Sequence, residues 1–291
     1  MNAKEVRYLA KHTSTQSGKS FLITGSNSGI GLEMAKAILY LGGHVTFMVR
    51  TEKKALDAIA AIEADLGKKA SYDIALYEQS DPVSIKNCVA SLKIEEYEAV
   101  IFNAGVYFPK KGSLCENGVP LTLQTNATGT QVCFDELFKR YPNAKYVFTT
   151  SIVNSSPKKH DYAPYFADSA KNRSTEYAIS KRIVMNIFVN ALKAGAKAYM
   201  THPGVSKTNI IRDFAPVIKK LGNGFLYLFT HPAWKAGMGA VLLACSDYPN
   251  GTYLVPRGLF EISGYPRARK VPKKASRDAE SWQKYHQNNN S

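Results

Sequence analysis

The sequence has few cysteines and no close pair of them. Its four cysteines, Cys88, Cys115, Cys133 and Cys245, are widely spaced and form no CxxC pair. This spacing lacks the usual signatures of a zinc site and of a disulfide framework. We therefore expect a functional site without a metal, in a reduced, cytoplasmic setting.

Long apolar runs are also missing. No stretch approaches the roughly 18 consecutive apolar residues of a membrane-spanning helix. The most membrane-like segment, 221–234, is uncharged but only 14 residues long and interrupted by polar residues. Residues 1–18 lack the apolar centre of a signal peptide. We expect no stable membrane insertion, and we interpret residues 1–18 as an uncleaved N-terminal arm.

No internal repeat and no linker rich in proline, glycine or serine divides the 291 residues, which indicates a single domain over residues 1–291. Apolar strand-like runs alternate with helical patterns, as in repeated βαβ units. The predicted strands are 20–24, 44–49, 71–77, 98–102, 145–150, 197–201 and 252–255, and the predicted helices are 29–41, 52–66, 82–93, 121–140, 174–194 and 233–245. Because the strands are almost uniformly apolar, they suit a sheet covered on both faces. The fold class is therefore α/β: a Rossmann-type doubly wound domain with a seven-stranded parallel sheet and helices on both faces.

Negative charge is scarce, and the formal net charge is +15. Such an excess suits nucleic acid, anionic lipid or a small anionic ligand. Six basic residues lie between Arg267 and Arg277 with no aromatic residue among them. We interpret residues 266–291 as a solvated basic C-terminal tail. Nucleic-acid binding ranks last, because no aromatic stacking motif accompanies the charge.

A glycine-rich turn, "TGSNSGIG" at 24–31, separates an apolar strand from an apolar helix. Glycines let such a turn close and let a pyrophosphate approach the backbone amides at the helix N-terminus. The predicted cofactor-binding residues of this turn are Gly25, Ser26, Asn27, Ser28, Gly29, Ile30 and Gly31. The alternative is a βα turn that binds nothing.

The end of the second predicted strand distinguishes between dinucleotides. An acidic side chain there would accept hydrogen bonds from a ribose 2′-hydroxyl, whereas an arginine would hold a 2′-phosphate. The strand ends at Arg50, and the nearby Glu52 suits the first turn of the next helix. This favours NADP (NADPH) over NAD. The alternative is an arginine that is merely exposed at a strand end.

"YAISK" at 177–181 places the phenol of Tyr177 and the ammonium of Lys181 on one face of a predicted helix. A tyrosine has a pKa of about 10, so acid/base work near neutral pH requires a neighbouring positive charge. By itself such a pair is common on helix surfaces. Ser151 and Asn126 fall in earlier βα units, so all four side chains can reach one crevice above the sheet.

With these stretches, "NAG" at 103–105 and "HPGVSKT" at 202–208, the sequence resembles the classical short-chain dehydrogenase/reductase family from residue 20 to about 255. Arg50 and the late segment "GYPRARK" look most like its retinol-dehydrogenase-like branch. The sequence departs from many relatives in carrying Glu78 where an aspartate faces adenine. It also has a longer spacing, 26 positions, between Ser151 and Tyr177, which we assign to an insertion at 152–173.

The resemblance implies a role for each of four catalytic residues. Tyr177 would give and take the proton, and Lys181 would lower its pKa and hold the nicotinamide ribose. Ser151 would polarise the substrate carbonyl, and Asn126 would hold a water that links Lys181 to solvent. The structural alternatives are a helix N-cap for Ser151 and local backbone bonding for Asn126.

The resemblance also implies two further cofactor contacts. Asn103, Ala104 and Gly105 would lie against the adenine ribose. Pro203, Gly204 and Thr208 would close the nicotinamide end, although a plain Pro-Gly turn is the alternative.

These features predict an NADP(H)-dependent oxidoreductase that interconverts a carbonyl and an alcohol on a small, apolar substrate. Residues 208–232, with an aromatic cluster at 214–229, would cover the substrate, although a buried helix would look the same. The alternative function is a catalytically silent dinucleotide-sensing or scaffold protein. Residues 182–192 are apolar enough for a homodimer interface, or simply for core burial.

Overall fold

The computed structural model describes residues 1–107, 109, 113–167, 172–205 and 231–290. Its helices are α1 (Ala3–His12), α2 (Gly29–Tyr40), α3 (Glu52–Leu66), α4 (Pro82–Ser91), α5 (Leu121–Leu123), α6 (Gly129–Arg140), α7 (Ala163–Phe166), α8 (Arg173–Lys193), α9 (Ala233–Cys245) and α10 (Lys273–Asn290). Its strands are β1 (Ser20–Thr24), β2 (His44–Val49), β3 (Tyr72–Leu76), β4 (Ala99–Phe102), β5 (Lys145–Thr149), β6 (Lys197–Thr201), β7 (Tyr253–Pro256) and β8 (Pro266–Arg269). A π turn (Gln124–Thr128) joins α5 to α6.

The strands form one sheet in the order β3-β2-β1-β4-β5-β6-β7-β8. Strands β1 to β7 are parallel, as predicted, and β8 pairs antiparallel with β7. The eighth strand is a correction to the predicted seven. Its sequence, Pro-Arg-Ala-Arg, contains no apolar run because it lies exposed at the sheet edge, where charged residues and proline are common.

The predicted helices and strands are confirmed to within two residues at each end, and local signals explain several boundaries. Asp81 accepts a hydrogen bond from the Val83 amide at 2.9 Å, and Pro82 is the first residue of α4. Gly67 ends α3 with a φ of +64°, a left-handed conformation that favours glycine.

Apolar residues pack on both faces of the sheet, which confirms the doubly wound arrangement. One core includes Leu9 of α1, Met34 of α2 and Val241 of α9. The other includes Leu137 of α6 and Ile183 of α8, together with residues of α4 and α10. Within the described residues, no helix is both long enough and apolar enough to cross a membrane.

Both ends of the described chain contain a helix that the sequence analysis did not predict. The N-terminal arm contains α1, whose Tyr8 ring stacks on Tyr265 at 4.3 Å between centroids. The predicted solvated tail at 266–291 is wrong for its described residues, 266–290: they contain β8 and α10, and α10 packs along α8. Trp282 of α10 is fully buried, and its Nε1 donates a hydrogen bond to Gln131 at 2.9 Å.

Helix α10 was missed because its apolar residues are few and lie among many charged ones. Ala275, Ala279 and Trp282 are fully buried and fall at helical spacing, which is the signal that could have revealed it.

Residues 182–189 of α8 are buried within the chain, so core burial accounts for this apolar stretch. The insertion at 152–173 contains a 3₁₀ turn (Lys158–His160) and α7, with residues 168–171 outside the described residues. Residues 208–230 of the predicted substrate-covering segment also lie outside them.

Candidate active site

A cavity of about 390 Å³ opens at the carboxyl ends of the parallel strands. In doubly wound sheets ligands bind at this edge, where the strand order reverses, here between β1 and β4. The predicted site residues that line the cavity are Gly25, Asn27, Ser28, Gly29, Ile30, Arg50, Asn103, Ala104, Gly105, Tyr177, Lys181 and Pro203. Ser26, Gly31, Asn126, Ser151 and Gly204 do not line it, and Thr208 lies outside the described residues.

The glycine turn has the backbone geometry that an anion site requires. Gly25 and Gly29 have φ values of +66° and +57°. A Cβ atom at Gly31 would clash with the Gly25 carbonyl oxygen and the Asn103 amide. Ser28 precedes α2, and its side chain makes no capping bond. The first amides of α2 therefore remain available for an anionic ligand at the positive end of the helix.

Thr24, at the end of β1, ties the glycine turn to the turn after β4. Its Oγ1 accepts hydrogen bonds from the amides of Asn103 and Ala104, each at 3.0 Å. The Asn103 side chain donates in return to the carbonyls of Thr24 at 3.1 Å and Gly25 at 3.3 Å. The sequence analysis missed Thr24, whose partners lie about 80 positions away in the chain.

Arg50 and Glu78 lie together on the β2–β3 side of the cavity. The closest approach of their charged groups, Arg50 Nη1 to Glu78 Oε2, is 4.0 Å. The Arg50 side chain is 67% exposed. Glu78 Oε1 also accepts hydrogen bonds from the Ser80 amide at 3.1 Å and hydroxyl at 2.9 Å. Arg50 is thus held near the cavity by one weak ion pair.

Gln79 joins this side of the cavity to the π turn, a role that the sequence analysis missed. Its Nε2 donates to the Thr125 carbonyl at 2.9 Å and to Thr130 Oγ1 at 3.2 Å. Its Oε1 accepts a hydrogen bond from the Tyr77 hydroxyl at 2.5 Å. A Cβ atom at Gly129 would clash with the Gln79 carbonyl, so the two segments are in direct contact.

Tyr177 and Lys181 line the opposite side of the cavity from successive turns of α8. Lys181 Nζ lies 5.8 Å from the centroid of the Tyr177 ring and donates a hydrogen bond to the Thr149 carbonyl at 3.3 Å. Lys181 is 7% exposed, and burial lowers the pKa of its ammonium to about 8. The cavity therefore contains a cation that loses its proton unusually easily.

The pKa of Tyr177 is raised, contrary to the expected lowering by Lys181. Burial raises it, and a hydrogen bond with Ser151 lowers it only in part. Desolvation disfavours the phenolate, and this cost is invisible in the sequence.

Ser151 is not a helix N-cap, and Asn126 does not bond to the backbone of its own segment, so neither makes the contacts of its structural alternative. Ser151 Oγ accepts a hydrogen bond from the Val153 amide at 3.1 Å in a turn, not at a helix N-terminus. Asn126 bonds both backbone groups of Val106, at 2.7 Å to the amide and 2.9 Å to the carbonyl. A Cβ atom at Gly105 would lie 2.9 Å from Asn126 Oδ1 and 3.6 Å from Lys181 Nζ. Both polar groups thus approach one point beside Gly105.

Ser180, inside the "YAISK" motif, links α8 to the π turn. Its hydroxyl donates to the Tyr177 carbonyl at 2.8 Å and accepts from Asn126 Nδ2 at 3.1 Å. Ser180 is fully buried. The sequence motif alone does not indicate this role of Ser180.

The Pro203–Gly204 turn follows β6 on the catalytic side. Gly204 has a φ of +70°, and a Cβ atom there would clash with the Ile262 carbonyl. His231 Nε2 donates to the Pro203 carbonyl at 2.6 Å. Contacts from distant parts of the chain therefore fix this turn.

The residues of the cavity fit a dinucleotide. Among the described residues, the buried hydroxyls of Thr125 and Thr149, which line the cavity, have no hydrogen-bond partner. Such orphaned groups suit a polar ligand. The glycine turn and the N-terminus of α2 would hold a pyrophosphate, Arg50 an additional phosphate, and Lys181 a ribose.

Comparisons with known proteins identify the family of this chain. A model of the short chain dehydrogenase family matches residues 19–210. A short-chain dehydrogenase/reductase of Armillaria gallica is 28% identical over 264 residues, covering 82% of this chain and 81% of the relative.

Two solved structures share the fold. An uncharacterised protein from Mycobacterium Paratuberculosis has a TM-score of 0.74 and 18% identity, with 96% of each chain covered. An NADPH-dependent 3-quinuclidinone reductase from Rhodotorula Rubra has a TM-score of 0.62 and 22% identity, covering 82% of this chain and 90% of that chain. The chain belongs to the short-chain dehydrogenase/reductase family and is an NAD(P)-dependent oxidoreductase.

Proposed function

We propose that the protein interconverts a carbonyl and an alcohol on a small, apolar substrate, with NADP(H) as cofactor. The observation that carries this proposal is that Tyr177 and Lys181 line one side of the cavity, where burial perturbs the pKa values of both, and that Ser151 is hydrogen-bonded to Tyr177. Perturbed acid/base groups in a cleft are typical of catalytic sites.

The proposed reduction divides the chemistry between cofactor and protein. NADPH, when bound, supplies the hydride that the carbonyl carbon receives. Ser151 donates a hydrogen bond to the carbonyl oxygen and stabilises the charge that develops there. Tyr177 gives its hydroxyl proton to that oxygen, and the nearby Lys181 ammonium stabilises the phenolate that remains. In the oxidative direction Tyr177 takes the proton back.

Apolar residues beside Tyr177 support an apolar substrate. Val106, Tyr107 and Leu121 line the same cavity, and the Tyr107 ring meets the Tyr177 ring edge-on at 4.6 Å between centroids. The aromatic residues 214–229, which prompted the same prediction, lie outside the described residues. The retinol-dehydrogenase-like branch, which favours carbonyls on apolar molecules, is compatible with this lining.

The preference for NADP over NAD is supported by Arg50. It follows β2 directly, lines the cavity and carries a largely exposed guanidinium. A guanidinium binds phosphate through charge-assisted hydrogen bonds.

A homodimer and a cytoplasmic location stay predictions. Because α10 covers part of α8, a dimer interface would have to include other surfaces than residues 182–189. Analytical ultracentrifugation of the full chain tests the dimer.

The function is tested by NADPH oxidation with purified protein over a panel of aldehydes, ketones and quinones. Tyr177→Phe should lower kcat by about 10²-fold to 10⁴-fold, as loss of a general acid does, with little change in NADPH affinity. Tyr97→Phe is the matched control, because Tyr97 is buried and bonded to Thr46 away from the cavity. Full turnover by Tyr177→Phe would show that the acid is misassigned. NADPH binding without turnover on any substrate would favour the sensor or scaffold alternative.

A further inference from the structure

The turn between β7 and β8 packs directly against the Pro203–Gly204 turn. The Val205 amide donates a hydrogen bond to the Ile262 carbonyl at 2.7 Å. The same carbonyl occupies the space that a Cβ atom at Gly204 would need. Residues 257–262, which connect β7 to the edge strand β8, therefore pack against one side of the Pro203–Gly204 turn.

A chain of side-chain contacts reinforces this packing. His202 Nδ1 accepts a hydrogen bond from the Gly204 amide at 3.2 Å, so this nitrogen carries no proton. The proton therefore lies on Nε2, which donates to Glu261 Oε2 at 3.2 Å. His202 is 2% exposed, and burial lowers its pKa although Glu261 opposes the shift. A neutral imidazole with this tautomer is the form that the contacts require.

Two arginines of the edge strand compensate the Glu261 carboxylate. Arg269 Nη1 donates to Glu261 Oε2, and Arg267 Nη2 lies 3.7 Å from Oε1. A buried carboxylate that two arginines and a histidine contact has a defined orientation. The contacts thus run from β8 through Glu261 and His202 to the Gly204 amide.

The backbone at Glu261 is in a conformation that needs such support. Phe260 and Glu261 have φ values of +50° and +58°, in the left-handed region that side chains rarely adopt. Phe260 is 75% exposed and contributes little packing. Strained backbone persists where the surroundings over-determine it, often near functional sites. The Glu261 contacts are the observed restraint here.

We propose that Glu261 is a positioning residue for the nicotinamide half of the cofactor. It orients His202, and His202 fixes the Pro203–Gly204 turn. Pro203 lines the cavity together with Tyr177 and Lys181, after β6. Arg50 and Glu78 lie after β2 and β3, and β1, β4 and β5 separate these strands from β6 and this turn. The inference rests on the proposed function, because it assigns the nicotinamide to the side where Tyr177 acts.

Two ligands allow the two halves of the site to be tested separately. NADPH would occupy both, whereas adenosine 2′,5′-bisphosphate would occupy only the Arg50 side. Glu261→Ala should raise the Kd for NADPH about tenfold, which corresponds to the loss of one charge-assisted contact, and leave the Kd for the bisphosphate unchanged. Glu261→Gln keeps an acceptor for His202 Nε2 and should raise the Kd for NADPH less.

Glu98→Ala is the matched control. Glu98 also contacts two cations, Lys19 at 3.2 Å and Lys145 at 2.8 Å. It precedes β4, however, and so lies at the amino ends of the parallel strands, whereas the cavity lies at their carboxyl ends. Its loss should leave both Kd values unchanged. Isothermal titration calorimetry measures binding, and thermal unfolding checks that each variant is folded.

The outcomes are distinct. An unchanged Kd for NADPH in Glu261→Ala, or equal weakening of both ligands, would overturn the positioning role. If Glu261→Ala does not fold, an unchanged Kd for NADPH in Glu261→Gln would overturn it. A wild-type protein that binds neither ligand would refute the proposed cofactor and this inference together. Selective weakening of NADPH in a protein without reductase activity would support the inference while the proposed reaction fails.

Discussion

At one side of the crevice the Arg50 side chain is 67% exposed, whereas at the other Lys181 is 7% exposed and its pKa is lowered to about 8. The Arg50 side, which we call the adenine side, is built mainly from the glycine turn and strand ends close to it in sequence. The Lys181 side, the catalytic side, is built from buried polar groups. We expect binding on the adenine side to depend on the backbone geometry of the glycine turn and on the charge of Arg50, which solvent screens. We expect the proposed chemistry on the catalytic side to depend on the desolvation of Tyr177 and Lys181.

The largest expected effect is on the catalytic side. Lys181→Met should lower kcat by about 10²-fold to 10⁴-fold, because the phenolate of Tyr177 loses its neighbouring cation. The same change should stabilise the fold at pH 7, because a buried charge is removed. The pKa falls from 10.5 to about 8, a penalty of about 3 kcal/mol at most, and the lost bond to Thr149 offsets about 1 kcal/mol of it.

The sign of the pH dependence follows from that pKa. Below pH 8 both folded and unfolded chains carry the charge, so the folded state bears the full penalty. Between about pH 8 and 10.5 the unfolded chain binds the extra proton, so stability of the wild type rises with pH. The advantage of Lys181→Met in urea unfolding should therefore disappear by about pH 10.5.

Lys145→Met is the control with the opposite sign. Burial lowers the pKa of Lys145, but its contacts with Glu98 outweigh this and raise the pKa overall. Its removal should destabilise the protein at pH 7. If Lys181→Met also destabilises the protein at pH 7, desolvation does not dominate the catalytic side.

On the adenine side, Gly31→Ala should weaken NADPH binding by about tenfold or more and lower the free energy of unfolding by about 1–3 kcal/mol, as overpacking does. The new Cβ would clash with the Gly25 carbonyl and the Asn103 amide. Titration calorimetry and urea unfolding measure the two effects. Gly67→Ala, at a φ of +64° with open space around it, should cost stability without changing affinity. Equal losses of affinity in both variants would contradict a specific cradle at Gly31.

The difference between the two sides of the cavity also explains which features could be predicted from the sequence. Strands β1 to β7 and the glycine turn were predictable because uniform apolar runs and glycine spacing are local signals. Helix α10 was hidden because its apolar residues lie among many charged ones. Thr24 and Gln79 act through partners about 25 to 80 positions away, which no local pattern reveals.

Tyr177 shows a second kind of limit. Its spacing from Lys181, taken together with Ser151, Asn126 and the family resemblance, predicted that it reaches the crevice, and Tyr177 lines the cavity. The direction of its pKa shift was not predictable, because the shift depends chiefly on burial by residues throughout the chain. Position was therefore easier to predict than electrostatics.

Cofactor preference on the adenine side should respond to charge. Arg50→Asp should reduce NADPH affinity relative to NADH by about tenfold, because it removes a charge-assisted phosphate contact. Glu78→Gln should strengthen NADPH binding by about threefold, because its carboxylate competes with the phosphate for Arg50 across 4.0 Å. Both effects should shrink as salt rises. Unaltered NADPH/NADH affinity ratios in Arg50→Asp would rule out the assigned contact.

The smallest expected effect is for Ser180→Ala. This variant tests whether the loss of a single buried hydroxyl is enough to disturb the catalytic side. The change removes the bonds to the Tyr177 carbonyl and Asn126 Nδ2, but Asn126 keeps both bonds to Val106. Stability should fall by about 1 kcal/mol, the typical worth of one net hydrogen bond. Because Asn126 remains held, kcat should fall only about threefold, with NADPH affinity unchanged. A loss of kcat as large as that of Lys181→Met would mean that the hydroxyl of Ser180, rather than desolvation, organises the catalytic side.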